Sequence, residues 1–228
     1  MRIALFSDIH GNIVGLKAVL KHIDHLGGAD IYCALGDILA IGPGAEDVIE
    51  ILHQYETRII RGNWDELFIN PEKYISKLPP QLHESSFRHY EWLARNLSPQ
   101  SQQLLANLPL SNQIEIDQNY LLYMCHAAPN NTESDTCTLT TNTTTLRKTY
   151  GHIPANIIAY GHYHTHHMIQ LDSKLLINVV SVGMTYGKPS AWTLLEYTDG
   201  RLSIQQFQVA YDEDEYERLM RERGVPIE

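Results

Sequence analysis

Short, continuous apolar runs alternate with helical patterns along the first third of the chain. Ile3-Ala4-Leu5-Phe6, Ile31-Tyr32-Cys33-Ala34-Leu35 and Ile59-Ile60 have the length and composition of strands buried on both faces. Between the first two, Ile13, Leu16, Val19, Leu20, Ile23 and Leu26 recur at helical spacing, and Gly27-Gly28 ends that helix. Val48, Ile49 and Leu52 predict a second helix near residues 45–55. Strand, helix, strand, helix, strand over residues 2–61 predicts a parallel half-sheet.

The pattern then changes. Pro71, Pro79-Pro80, Pro99 and Pro109 punctuate residues 66–110, and the pieces at 83–95 and 98–107 read as helices. This stretch is expected to be a helical insertion over the functional site, within a single domain spanning residues 1–228. Residues 112–125 predict a hairpin turning at Asp117-Gln118-Asn119, with Leu121-Leu122-Tyr123-Met124 as its apolar strand. A Thr-rich loop and a weak helix over 136–149 lead to another apolar run, Ile157-Ile158-Ala159-Tyr160. The closely spaced strands predicted near 166–171, 175–180, 190–198 and 201–209 suggest an antiparallel second sheet. A charged helix over 212–223, read as a solvated face, closes the chain.

Five of the apolar runs end one to three residues before a side chain able to hold a metal. The first runs into Asp8 and His10, the second into Asp37, and the third into Asn63. The Leu121–Met124 run leads to His126, and the Ile157–Tyr160 run to His162 and His164. In open α/β sheets, ligands bind beyond the carboxyl ends of the strands, so donors delivered there from five segments read as one site. Asp8-x-His10 and His162-x-His164 each put two donors on one side of a strand end. Gly36-Asp37 and Gly62-Asn63 place a small residue before the donor, which allows close backbone approach. Carboxylates, one amide and several imidazoles suit manganese, iron or zinc better than calcium. His22, His25, His53, His83 and His89 fall on predicted helices and read as surface or packing residues, as do His166 and His167.

Bulk properties narrow the partners. A chain of 228 residues with 43% hydrophobic content can bury one large core. No stretch is long and apolar enough to span a membrane, and no leader pattern precedes the first strand, so a cytoplasmic location is expected. Cys33, Cys125 and Cys137 form no framework, and the first two read as small core residues. A net charge of -10 argues against a groove for long nucleic acid. A small phosphorylated substrate, nucleotides among the candidates, remains compatible, because two divalent cations would outweigh Asp8 and Asp37 locally.

The ordered set SDIHGN, GD, GN-x-D, a lone CH and GHYH resembles the calcineurin-like metallophosphoesterase superfamily. The SDIHGN opening and GDILAIGPGAEDVIE are similar to its small bacterial branch related to diadenosine tetraphosphatase. The resemblance implies two packed mixed β-sheets flanked by helices. It implies a first metal held by Asp8, His10 and His164, a second held by Asn63, His126 and His162, and Asp37 bridging them. It marks Asp37, Asn63 and His126 as the catalytic group. The expected cofactor is a pair of divalent ions, with manganese favoured and iron or zinc as alternatives. A hydroxide shared by the two ions would attack phosphorus in line with the leaving oxygen.

The sequence departs from that family at one position and its surroundings. Relatives carry a histidine after the asparagine ligand that protonates the leaving oxygen, whereas Trp64 stands here. Indole has a donor N–H but does not titrate near neutral pH. Where serine/threonine phosphatases carry an orienting Asp and a phosphate-gripping Arg, this chain has Ala40 and Ile41. A site without an acid favours good leaving groups, so phosphodiesters or nucleotide phosphoanhydrides are expected before alkyl monoesters. Trp64, Arg61 and Lys188 are the candidate substrate contacts, Trp64 by stacking and the two cations on phosphate. A serine/threonine-type protein phosphatase and a non-catalytic scaffold of the same fold, as in the retromer subunit, are the alternatives.

Overall fold

The computed structural model describes residues 1–184 and 189–226. β1 (Arg2–Phe6), β2 (Ile31–Ala34) and β3 (Arg58–Ile59) run parallel, joined by α1 (Ile13–His25) and α2 (Ala45–Gln54). The parallel half-sheet has the expected order, although its third strand is one residue out of place, with Ile60 buried just beyond it. Along β1, Ile3 and Leu5 face a core between two sheets, whereas Ala4 and Phe6 face α1 and α2. Burial on both sides is why the run is apolar without alternation. Each fully buried aliphatic or aromatic side chain contributes about 1.5–3 kcal/mol.

α1 begins at Asn12, whose side chain accepts the Gly15 N–H at 2.8 Å. Ile13, Leu16, Val19, Leu20 and Ile23 form its buried face. Leu26, expected to join them, is exposed instead, because the helix has ended at His25 and the left-handed Gly27 and Gly28 turn the chain away.

From Asn63 onward the chain is helical: α3 (Asn63–Ile69), α4 (Pro71–Ile75), a 3-10 turn over Pro80–Leu82, α5 (His83–Asn96) and α6 (Pro99–Ala106). This segment therefore starts at a metal-ligand candidate, three residues earlier than the pattern suggested. Trp92, Leu93, Leu97, Leu105 and Leu108 share one core with α1, α2 and the outer face of the first sheet.

β4 (Ser111–Glu115) and β5 (Leu121–Cys125) form the hairpin, and β6 (Ile157–Tyr160) follows α7 (Thr143–Tyr150). The remaining strands correct the sequence reading. β7 (His167–Leu171) and β8 (Lys174–Asn178) join the second sheet, in the order β4-β5-β6-β8-β7, with β8 parallel to β6. β9 (Ser190–Thr198) and β10 (Arg201–Val209) instead complete the first sheet, β10-β9-β1-β2-β3, with β9 antiparallel to β1. The second sheet is thus mixed, not antiparallel. The reason lies in β9, whose residues 190–195 are all buried, Leu195 between the sheets and Trp192 and Leu194 toward the helices. Such a strand takes an interior place, and the alternating β10 closes the edge. α8 (Glu213–Glu222) is charged along most of its length, but Leu219 and Met220 pack partly on the core.

Two mixed five-stranded sheets thus pack face to face, with helices over both outer faces. The carboxyl ends of β1, β2, β5 and β6 meet at one rim, where the His162 amide donates to both Asp8 carboxylate oxygens. Among the described residues, no helix is long and apolar enough to cross a membrane.

Candidate metal centre

The rim is made of five short loops, and most of its donors lie on strained backbone. Asp8, His10, Asp37, His162 and His164 all have left-handed φ, between 50° and 71°. Asp and His tolerate that region better than most residues, at a cost of order 1–3 kcal/mol each. Close packing holds the loops in this form. A Cβ at Gly161 would lie 1.9 Å from Ser7 Oγ and 2.5 Å from Asp8 Oδ2, and one at Gly62 would lie 2.1 Å from Asp37 Oδ1. The glycines ahead of these donors are therefore required by the neighbouring loop, not only by their own.

The seven predicted ligands come together, and their distances divide them into two groups. In one, His164 Nε2 lies 3.2 Å from Asp8 Oδ1 and 3.3 Å from His10 Nε2. In the other, Asn63 Oδ1 lies 3.0 Å from both His126 Nε2 and His162 Nδ1, and His126 Nε2 lies 3.3 Å from Asp37 Oδ2. Asp37 Oδ2 is also 3.8 Å from His10 Nε2, so it stands between the groups. Asp8 does so too, with Oδ1 4.0 Å from His126 Nε2, which puts two carboxylates at the centre rather than one.

These spacings fit cations. Donors about 3.0–3.4 Å apart are the edges of a coordination shell with bonds of about 2.0–2.2 Å. Only one proton can lie between the facing Nε2 atoms of His10 and His164, whereas a cation would accept both lone pairs. His126 Nδ1 lies 2.7 Å from the Leu35 carbonyl, and donating there leaves its Nε2 lone pair for the cluster. His10 lacks this support, since its buried Nδ1 has no hydrogen-bond partner among the described residues.

The carboxylates and imidazoles of the cluster shift one another strongly. Burial opposes charge on Asp8, yet its hydrogen bond to His164 and the surrounding imidazoles hold its carboxyl well below the usual range. Burial would lower His126, but the charge and hydrogen bond of Asp37, with Asp8 behind them, push it up to about 10. His164 is raised by Asp8 in the same way, against its burial. At His10 and His162 burial wins and favours the neutral, lone-pair-bearing ring.

The candidate substrate contacts divide. Trp64 is at the site: its backbone N–H donates to Asp37 Oδ1 at 2.8 Å, and its ring stands edge-on to His10 at 6.1 Å. Arg61 points elsewhere, with its guanidinium donating to the Ala106 carbonyl at 3.2 Å on the helical segment. Lys188 lies outside the described residues. Ser7 is buried and donates to Leu35 O, a packing role. His167 is buried against Tyr160 and Cys137, away from the rim, and all three cysteines are buried and unpaired.

Two residues of the site went unassigned in the sequence. Asp65 is fully buried and accepts four backbone N–H groups, from Gly62, Asp37, Ile38 and Leu39, at 2.8–3.1 Å. It locks the loop after β2 to the start of α3. Its position three residues after the helix cap at Gly62 was the available signal. Tyr74, on α4, packs beside Trp64 with ring centroids 6.2 Å apart. Burial pushes that phenol up to about 12, so it is a neutral donor. No local pattern marks it.

A family model described as the calcineurin-like phosphoesterase superfamily domain matches residues 1–200. Among solved structures, a hypothetical protein from Pyrococcus horikoshii superposes with a TM-score of 0.83 at 19% identity, covering 99% of this chain and 94% of that one. A metallophosphoesterase from Sphaerobacter thermophilus gives 0.71 at 22% identity, covering 99% and 95%. An uncharacterised protein of Methanocaldococcus jannaschii is 38% identical over 63 residues. That match spans 28% of this chain and about a quarter (26%) of the curated relative.

Proposed function

The chain belongs to the calcineurin-like phosphoesterase superfamily, and from that premise we propose that it hydrolyses phosphodiesters or nucleotide phosphoanhydrides with two divalent cations. One observation carries the substrate reading: a full set of seven donors converges beside Trp64, which stands where an acid would protonate the leaving group. Asp8, Asp37, Asn63 and the four histidines would hold the cations, and their mixed oxygen and nitrogen character suits manganese, iron or zinc. When bound, the pair would polarise the phosphoryl oxygens and supply the attacking water.

The protein's own groups do the rest. Trp64 N–H and the loops tied by Asp65 fix Asp37, and the His162 N–H fixes Asp8. The Trp64 indole can donate a hydrogen bond but no proton, so the leaving group must depart with little help. A phosphate or aryl oxide does this readily; an alkoxide does not. Against a protein phosphatase, Ala40 offers no side-chain base and Ile41 no charge for a phosphopeptide.

Manganese-loaded protein is expected to cleave bis-(p-nitrophenyl) phosphate at least about tenfold faster, in kcat/KM, than p-nitrophenyl phosphate. A preference for the monoester would overturn the substrate assignment.

A further inference from the structure

Behind Trp64 lies a cavity of about 140 Å3, closed on its far side by the first two turns of α5. We propose that this cavity is a subsite for a second phosphate of the substrate, which would make the chain selective for phosphoanhydrides over simple diesters. The proposal rests on the phosphoesterase reading for the scissile phosphate and goes beyond it for the rest of the substrate.

Position is the first argument. Trp64 is the wall shared by the metal centre and the cavity: one edge of its ring faces His10, and the residue also lines the cavity.

The lining is the second. Arg88 and Ser86 border the cavity, and neither makes a hydrogen bond or ion pair with another described residue. On a chain of net charge -10, an arginine without a carboxylate partner among the described residues is unusual. A guanidinium fork matches two phosphate oxygens, and a serine hydroxyl can donate to a third. The wall beneath them is firm, because His89 is buried with Nε2 2.8 Å from the Ala40 carbonyl.

Size is the third. A cavity of about 150 Å3 holds a benzene-sized group. The space behind Trp64 therefore fits a phosphate and excludes a nucleoside, which would have to lie outside against the exposed face of the helical segment.

The test uses manganese-loaded, full-length protein. Equilibrium dialysis against labelled inorganic phosphate is expected to find two phosphates per wild-type chain and one per Arg88→Ala chain, with Arg88→Lys intermediate. Arg88 is exposed and has no partner among the described residues, so its removal is expected to leave the fold intact. In turnover, Arg88→Ala should raise KM for inorganic tripolyphosphate about tenfold and leave bis-(p-nitrophenyl) phosphate unchanged. Equal phosphate binding by wild type and Arg88→Ala overturns the subsite, even if diester turnover upholds the phosphoesterase reading. A second phosphate lost with Arg88 upholds the subsite, even if no ester is turned over. Adenosine displacing the second phosphate would overturn it in favour of a base pocket.

Discussion

At the strand-end rim, five of the seven metal-ligand candidates sit in left-handed backbone, and Gly161 and Gly62 let neighbouring loops approach to 1.9 and 2.1 Å from where a Cβ would stand. In the helical segment beside it, no residue from 63 to 106 has positive φ, glycine or otherwise. The two regions share one cavity wall, Trp64, yet they are built differently. The rim stores strain to fix donors within a few tenths of an ångström, as metal geometry demands. Beyond the first turn of α3, which carries Asn63 and the lock at Asp65, the helices are relaxed and line the cavity with side chains that touch no donor. On the proposed function, binding of cations and choice of substrate would fall largely to separate parts of the chain.

The hardest test of this division is a single methyl group at the rim. Gly161→Ala forces a Cβ into Ser7 and Asp8, where the buried loop cannot yield. The expected result is a loss of manganese affinity of about 100-fold or more and a destabilisation of about 1–3 kcal/mol. Metal content after dialysis and a denaturation curve would read both. Normal metal binding by this variant would mean that the rim is more pliable than its backbone indicates.

Trp64→His tests the wall itself. A histidine there would present a titratable ring toward the leaving-group side of the cluster while keeping the backbone N–H on Asp37. Monoester turnover is expected to rise at least about tenfold, since general acid catalysis contributes about 10²–10⁴-fold. An unchanged rate would show that something other than the missing acid limits monoesters. Manganese content should stay at the wild-type value, because no ligand changes.

Chelation probes the rim from the other side. Removing cations leaves the buried Asp8 and Asp37 with only the imidazoles to balance them. At a metal concentration 100 times Kd, binding stabilises the fold by about 2.7 kcal/mol, or roughly 5–10 °C in a chain of this size. That shift should be absent in Asp37→Ala and intact in Arg88→Ala, which separates the two regions in one thermal experiment.

The same division decided what could be read from the sequence. Most of the ligand candidates were legible because they follow strands with buried apolar runs at β1, β2, β5 and β6, so the run points straight at them; Asn63 follows the short edge strand β3, where Ile59 and Ile60 gave a weaker signal. Asp65 was half legible: its capping position is a local pattern, but its hold on Ile38 and Leu39 is made across loops. Tyr74, Ser86 and Arg88 reach the site region only through the packing of α3, α4 and α5, which no local period encodes. Arg61 shows the opposite failure, a cation next to a ligand in sequence whose side chain turns toward Ala106. The placement of β9 beside β1 was hidden for a related reason. Close spacing to β8 suggested pairing, but burial on both faces required an interior position.

The mildest prediction lies farthest from the rim. Trp92, on α5, donates its indole N–H to the Arg223 carbonyl at 3.0 Å, and Arg223 in turn holds Asp47 on α2 and the Pro43 carbonyl. This chain of contacts ties the helical segment and the end of α8 to the first sheet's helices. Trp92→Phe removes one neutral hydrogen bond, leaves the Arg223 carbonyl unpaired and takes away part of a buried ring. The expected cost is about 1–2 kcal/mol, seen as a lower midpoint in urea at unchanged slope. The indole packs against His89 of the cavity wall, with ring centroids 5.9 Å apart, but touches no ligand-candidate loop, so manganese content and kcat for the diester should stay at wild-type values. A fall in kcat without a fall in metal content would mean that the helical segment holds Trp64 in place as a unit, and that substrate choice depends on the packing of α5 as well as on the residues lining the cavity.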